Sequence, residues 1–477
     1  MRYKKVFITR QLPVLIRRSA PNDFVIEACW DVFSLQLDNF KTSLNAACAG
    51  IIPFVPESEN ERDIIVQQLA QRHFYPVFID QQAWNNFNEF CDDTLNAISS
   101  FAPSQGAYKE DLWRNYHTVL REMVHQLKRY KMLNTSLYLF GQELALLPSL
   151  LNMQSQCGEI NYFYLNAFPH YDIYQALPWA TEFLTSLGQC DYLVFENYND
   201  RINFYQCYER DRYISINGSV QSETSASFME DVFVLPLGID VRPTRNTLAE
   251  VKVQKMMIEL REQLKRLQLV FSYFENMQIA QCLKVLDIIS SFFQVYPDKI
   301  NQVSFVIMLN TQLRNFSDSQ NLIAVIESKV GHINARYGTL VWKPIHLYHS
   351  QADLQLRYAY LRLSDVYLST NPSSSWNGSQ QEYIVAQHNQ KGILIDCTAF
   401  QDKFMPSNPF SCNINNGKGV SEMLYKALEY PSKLAYFEMK FLYKNSVFNK
   451  MQHGILELEN KKKYQLQSWP LALFRYS

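Results

Sequence analysis

The stretch Pro236-Leu-Gly-Ile-Asp240, followed by Pro243, decides how this chain is divided. Ahead of it, short apolar or β-rich runs alternate with helical patterns. Strands are expected at residues 6–9, 76–79, 137–140, 160–164, 192–195, 213–216 and 232–235, each a brief apolar run. The clearest helix is residues 111–130, where Leu112, Tyr116, Leu120, Met123 and Leu127 fall on one face. At Pro236 the alternation pauses. A charged amphipathic helix follows over residues 248–267, and then the pattern resumes. Further strands are expected at 268–272, 303–309, 343–348, 366–370 and 392–396, and helices at 279–293, 319–337, 380–388 and 420–430. Strand–helix alternation requires parallel sheets covered on both faces. The expected fold is therefore α/β, with two Rossmann-like domains facing a cleft. Residues 1–240 form one, residues 241–440 the other, and residues 441–477 a C-terminal helix and tail. Such an architecture places ligands at the carboxyl ends of the strands.

Composition narrows the function. The 477 residues carry 45 Lys+Arg against 46 Asp+Glu, a net charge of −1, which leaves no basic footprint for nucleic acid or an anionic membrane. Charged residues are 19% and aromatic residues 14%, which excludes a disordered chain. Glycine is scarce: 14 residues, where average usage gives about 33. Few places remain where bare backbone closes on a phosphate. No run approaches a membrane span, and the N-terminal apolar stretch is too short for a secretory signal. Nine cysteines, an odd number with no C-x-x-C pair, fit reduced thiols in a cytoplasmic protein.

Generic motifs add little. No dinucleotide fingerprint, Walker loop, H-E-x-x-H or nucleophile elbow is present. Gly417-Lys-Gly419 reads as a turn before a helix, and His346-x-x-His349 lacks metal partners at suitable spacing. Asp92-Asp93 reads as solvated loop or helix surface, with catalytic carboxylates as the lesser alternative, and Lys461-Lys-Lys463 as an exposed helix end or tail. No metal site and no cofactor are expected.

Longer segments, in order, carry more. They are Gln11-Leu-Pro-Val14, Asn88-Glu-Phe-Cys-Asp-Asp-Thr-Leu95, Glu143-Leu-Ala-Leu-Leu-Pro148 and Ala167-Phe-Pro-His-Tyr-Asp-Ile-Tyr-Gln-Ala-Leu-Pro178. Cys190-Asp-Tyr-Leu-Val-Phe195, Leu235-Pro-Leu-Gly-Ile-Asp240, Ile333-Asn-Ala-Arg-Tyr-Gly338 and Glu382-Tyr-Ile-Val-Ala-Gln387 follow. In this order and spacing the chain resembles the trehalose-6-phosphate synthase family, retaining glycosyltransferases of the GT-B fold. The resemblance implies a C-terminal helix crossing back to the N-terminal domain, the latter on the acceptor side. It implies glucose transfer from UDP-glucose to glucose 6-phosphate without a metal. Cations and backbone N–H groups must then meet the diphosphate, and an Arg clamp the acceptor phosphate.

Position by position, the resemblance fails where substrate would be touched. The family's Arg before Leu-Pro falls at Gln11, with Arg10 adjacent. Its Ser-Gly-Gly loop falls in Ile26-Glu-Ala-Cys-Trp-Asp-Val-Phe33, which has no glycine. Its acceptor-side Tyr and Trp fall at Phe87 and Asn96, an Asp at Gly141 and a His at Leu165. Its diphosphate-holding Arg falls at Phe274 or Glu275 and its Lys at Ile279 or Ala280, depending on a one-residue shift. A further Arg falls at Leu313, beside Arg314. The donor loop reads Ser374-Ser-Trp-Asn-Gly-Ser-Gln-Gln-Glu382, keeping Asn377 and the ribose-holding Glu382.

The resemblance thus leaves Glu382, Asn377, Ser374 and Ser375 as vestigial nucleotide-sugar contacts, Arg10 and Arg314 as acceptor-phosphate candidates, and no catalytic residue. Glu382 and Asn377 could equally serve only the helix they precede or begin. Losing two cations under a diphosphate removes about 3–6 kcal/mol at ~1.5–3 kcal/mol per charge-assisted bond. The leading expectation is a catalytically inactive relative, a regulator or scaffold in trehalose metabolism, with an active trehalose-phosphate synthase as partner. The alternatives are an active UDP-glucose-dependent glycosyltransferase with altered substrates, and a phosphosugar-binding module.

Overall fold

The computed structural model describes residues 3–430 apart from 30, 100–107, 216–230, 236–237, 265–266, 276–278, 311–315, 350–352, 371–377, 388–391 and 398–407. The N-terminal half begins with β1 (Lys5–Gln11), the antiparallel hairpin β2 (Val14–Ala20) and β3 (Asp23–Ala28), and the helix Val32–Ser43. The strands β4 (Ala47–Ile52), β5 (Phe74–Phe78), β6 (Ser136–Phe140), β7 (Ile160–Tyr164), β8 (Tyr192–Phe195) and β9 (Val232–Val234) follow, separated by helices. With β1 they form one parallel seven-stranded sheet in the order β5-β4-β1-β6-β7-β8-β9. The C-terminal half carries β10 (Gln268–Glu275), β11 (Val303–Asn310), β12 (Ile345–Tyr348), β13 (Val366–Ser369) and β14 (Ile393–Asp396). These form a parallel sheet in the order β12-β11-β10-β13-β14. This is the GT-B arrangement of two parallel α/β halves.

Burial on both faces explains the apolar runs: all eight residues of β11 are buried. The same burial explains why β4 was not among the expected strands. Its sequence Ala-Cys-Ala-Gly-Ile-Ile begins with small residues, because β1 presses on it. A Cβ at Gly50 would stand 2.8 Å from Leu12 N and Thr9 Oγ1.

Two sequence expectations are corrected. The strand expected at 213–216 is helical as far as described: the helix Tyr198–Ser215 runs through Tyr213. Extending a formed helix adds a bond per residue, which outweighs the β preference of three side chains. The single helix expected at 248–267 is two helices, Val241–Ala249 and Val251–Gln263, broken at Glu250 with ψ 136°. The first is capped by Asp240, whose Oδ1 accepts from the Arg242 amide at 3.0 Å. Pro243 sits in its first turn, where a missing N–H costs nothing. The segment 441–477, where a returning helix was expected, lies outside the described residues.

Val32, at the start of its helix, packs into the C-terminal half beside Ile239, Val253, Phe271, Tyr358 and Tyr383. Nearby, Gln36 Oε1 accepts from the Asp240 amide at 2.7 Å. No described helix is long and apolar enough to cross a membrane.

Candidate functional site

In the C-terminal sheet the chain builds outward from β10 to β12, then returns to β13 on the other side of β10. That reversal puts the ligand-facing crevice at the carboxyl ends of β10 and β13. Residues of β10 alternate between faces. Val270 and Phe274 point into the core under the helix Ile279–Val295, whereas Phe271 and Tyr273 share the opposite cluster. Glu275 ends the strand on that second face. Of the two registers left open by sequence, the position turned toward the N-terminal half is therefore Glu275; Phe274 is core.

A wholly buried arginine organises this junction. Arg357, from the helix Leu354–Leu363, has Nη2 2.9 Å from Glu382 Oε2, and donates to Glu382 Oε1 at 3.1 Å. Glu382, on the helix Gly378–Ala386, is also wholly buried and accepts a 2.6 Å bond from the Tyr358 hydroxyl. The other guanidinium nitrogen, Nη1, stands 3.8 Å from Glu275 Oε1. The guanidinium carbon lies 4.8 Å from the Tyr273 ring centroid and 5.2 Å from that of Tyr358.

The N-terminal half contributes the start of the helix Val32–Ser43. Asp31 caps it, its Oδ1 accepting from the Ser34 amide at 2.9 Å. Glu275 Oε1 accepts from the Val32 amide at 2.8 Å. An unsatisfied helix N-terminus carries partial positive charge and welcomes an anion; here that anion is a side chain of the same molecule. Glu275 and Glu382 thus flank one guanidinium, whose charge also reaches Asp31. Burial, then the Asp31 charge, pushes Glu275 up to about 7, while Arg357 and the Val32 amide pull the other way. Burial raises Asp31 and Glu382 as well, against the pull of their hydrogen bonds and Arg357. Burial works against the Arg357 charge, but Glu382, Tyr273, Tyr358 and Glu275 hold it well above the ordinary arginine value.

The second crevice lies where β1 and β6 end. Arg10, its side chain 19% exposed, reaches Asp92 Oδ1 at 3.3 Å and Glu143 Oε1 at 3.4 Å, and also donates to Asn88 Oδ1. Its guanidinium lies 5.9 Å from the Trp84 centroid. Burial opposes this cation, but Asp92 and Glu143 more than compensate and raise it. Asn96 donates to Asp92 at 3.1 Å and accepts from Gln142, which also holds Ser99 and Tyr164. Gly141 adopts φ 98°, and a Cβ there would fall 2.5 Å from Glu143 Oε2.

Of the residues expected from sequence, Glu382 lies at the junction and Arg10 in the second crevice. Asn377, Ser374, Ser375 and Arg314 lie outside the described residues, as do Leu313 and Lys461-Lys-Lys463; the side chains of Ile279 and Ala280 are also not described. Glu382 is not a helix-start residue acting on the dipole: it is the fifth residue of its helix and half of a buried ion pair. Asp92 is not a merely solvated acid, since it meets Arg10. Phe87 is wholly buried and stacks on Tyr116 at 5.4 Å, so that acceptor-side position is core. His349 pairs with Glu327 at 2.8 Å. Sequence reasoning missed Arg357 altogether. Its signal was an arginine three residues after Leu354 and four before Leu361, on the face a buried helix should keep apolar.

Comparisons with known proteins agree with this architecture. The profile of Glycosyltransferase family 20 matches residues 4–459. An alpha,alpha-trehalose-phosphate synthase (UDP-forming) 2 from Aspergillus niger is 24% identical over 409 residues, covering 82% of this chain and 83% of its own length. The 56 kDa subunit of the alpha,alpha-trehalose-phosphate synthase (UDP-forming) from Saccharomyces cerevisiae is 24% identical over 344 residues, covering 71% and 69%. Among solved structures, the N-terminal domain of trehalose-6-phosphate phosphatase from Candida albicans superposes with a TM-score of 0.80 at 18% identity, covering 96% of this chain and 97% of that one. An E. coli structure described as bound with UDP-2-fluoro glucose gives 0.75 at 18%, covering 97% and 99%. This chain belongs to glycosyltransferase family 20, the trehalose-6-phosphate synthase family.

Proposed function

We propose that this chain is a non-catalytic member of its family, a scaffold or regulatory relative whose donor face is closed by its own side chains. In this reading residues 1–240 and 241–440 are the acceptor-side and nucleotide-sugar-side domains. One observation carries it: Glu382, which the family resemblance makes the ribose ligand, is wholly buried and bonded by Arg357 and Tyr358. Beside it, Glu275 fills the anion-seeking end of the helix Val32–Ser43. A nucleotide diphosphate entering there would meet a carboxylate where a cation is needed. Each missing charge-assisted bond forfeits about 1.5–3 kcal/mol, and every ~1.36 kcal/mol is tenfold in rate. The protein partner is an active trehalose-phosphate synthase, in line with the relative named as a 56 kDa subunit.

The test is direct. Incubation with UDP-glucose and glucose 6-phosphate should release no UDP above background, and millimolar UDP should not raise the melting temperature. The chain should co-purify with an active synthase of its own source. Turnover that disappears in Glu382→Ala would overturn the reading and establish a working glycosyltransferase.

A further inference from the structure

Two thiols meet at the edge of the five-stranded sheet. Cys397 directly follows β14, and its sulfur lies 3.2 Å from that of Cys412, fifteen residues on. Main-chain bonds fix this proximity. The Cys397 amide donates to Ser369 O at 2.9 Å, the Asp396 amide to Phe410 O at 3.0 Å, and the Cys412 amide to Asp396 O at 2.9 Å. Asp396 and Ser411 form a parallel bridge, so the cysteines flank two adjoining extended segments. A disulfide has sulfurs about 2.05 Å apart, so bonding asks for roughly 1 Å of side-chain movement.

The two sulfurs differ in access. Cys397 is wholly buried, whereas Cys412 is partly exposed. The contact between the two sulfurs, then burial, raises the Cys397 thiol above its ordinary range, and the same contact lowers Cys412. A thiolate is the attacking form in disulfide exchange, so Cys412 is suited to react first.

We propose that Cys397 and Cys412 form a thiol–disulfide site that accepts a small-molecule disulfide of the glutathione class. The Cys412 thiolate attacks one sulfur of oxidised glutathione, and the sulfur–sulfur bond breaks. One glutathione leaves as a thiolate and takes up the proton that Cys412 had released. Cys397 then loses its proton to water and attacks the Cys412 sulfur of the mixed disulfide. The second glutathione leaves and is protonated in turn. Two protein thiols lose two electrons and two protons; one oxidised glutathione becomes two reduced molecules.

The new bond would clasp the chain beside Asp396, whose Oδ1 accepts from Gln380 Nε2 at 2.7 Å. Gln380 lies on the helix that carries Glu382 and also donates to Ser369 Oγ at 2.9 Å. Oxidation at this edge therefore bears on the helix that faces the donor side.

The experiment uses the full chain, first reduced and then exposed to oxidised glutathione at neutral pH without air. Titratable thiols should fall from nine by two, peptide mapping should link Cys397 to Cys412 within one chain, and the melting temperature should rise. Cys397→Ser should retain one glutathione on Cys412, and Cys412→Ser should carry none on Cys397. Retention of all nine thiols by the folded wild-type chain, or a bond mapped to other cysteines or between two chains, overturns the proposal. A glutathione adduct on Cys397 in Cys412→Ser overturns the assignment of Cys412 as the attacking sulfur.

Discussion

The Glu275 carboxylate accepts a hydrogen bond from the Val32 amide at 2.8 Å, so the last residue of β10 caps a helix from the other half of the chain, 243 residues away in sequence. Both ends of this contact sit near Arg357 and Asp31. The junction therefore holds more negative than positive groups in a largely dry space, and its behaviour depends on which carboxyl carries a proton.

Stability should fall as pH rises through neutrality. Burial and Asp31 shift Glu275 from its ordinary 4.5 to about 7. The folded state then holds this proton more tightly than the unfolded chain. The stabilisation is fully present below the unfolded value and is lost as pH rises through the folded one. Asp396, raised by burial to about 6, adds the same sign over a lower window. Thermal melts of the wild type should decline from about pH 5 to about pH 8, and Glu275→Gln should flatten the upper part. An unchanged slope in that variant would show that Glu275 does not titrate there.

Breaking the buried pair should cost far more than removing both charges. Arg357→Met leaves Glu382 buried opposite no cation, at a cost of about 3–5 kcal/mol by urea unfolding. Adding Glu382→Gln should recover most of that loss, because the Tyr358 hydroxyl still has an acceptor. If the double variant is as unstable as the single one, packing rather than charge holds this junction.

Placing an acid at position 141, where the family resemblance aligns one, should harm the protein without reviving it. Gly141 has φ 98° and ψ 146°, a region open essentially to glycine, and a Cβ there meets Glu143. Gly141→Asp should lose about 1–3 kcal/mol and release no UDP. A stable Gly141→Asp variant with turnover would contradict both halves of this argument.

Arg10 should fail as a phosphate clamp while Asp92 and Glu143 hold it. Asp92 and Glu143 stand 3.3 and 3.4 Å from it. Calorimetric titration with glucose 6-phosphate should be flat for the wild type and show saturable heat for Asp92→Asn/Glu143→Gln. A saturable signal from the wild type would mean that the phosphate displaces its rivals.

The sequence by itself determined the alternation of strands and helices and hence two parallel α/β halves, and it raised the expectation that cations are missing where the family grips phosphate. These follow from local periodicity and from residue type, both of which survive in one dimension. It left β4 unread, because small residues required by a neighbouring strand resemble no strand pattern. It could not choose between Phe274 and Glu275, since a one-residue slip exchanges the faces of a strand. Only the tertiary structure decided that Glu275 faces the other half, that Glu382 is spent on Arg357, and that Arg10 is answered by two acids. The physical reason is the same in each case. Periodicity states which side chains share a face, but the partner of a buried charge is chosen by the packing of segments far apart in the chain, where the desolvation cost favours a nearby counter-charge or a retained proton.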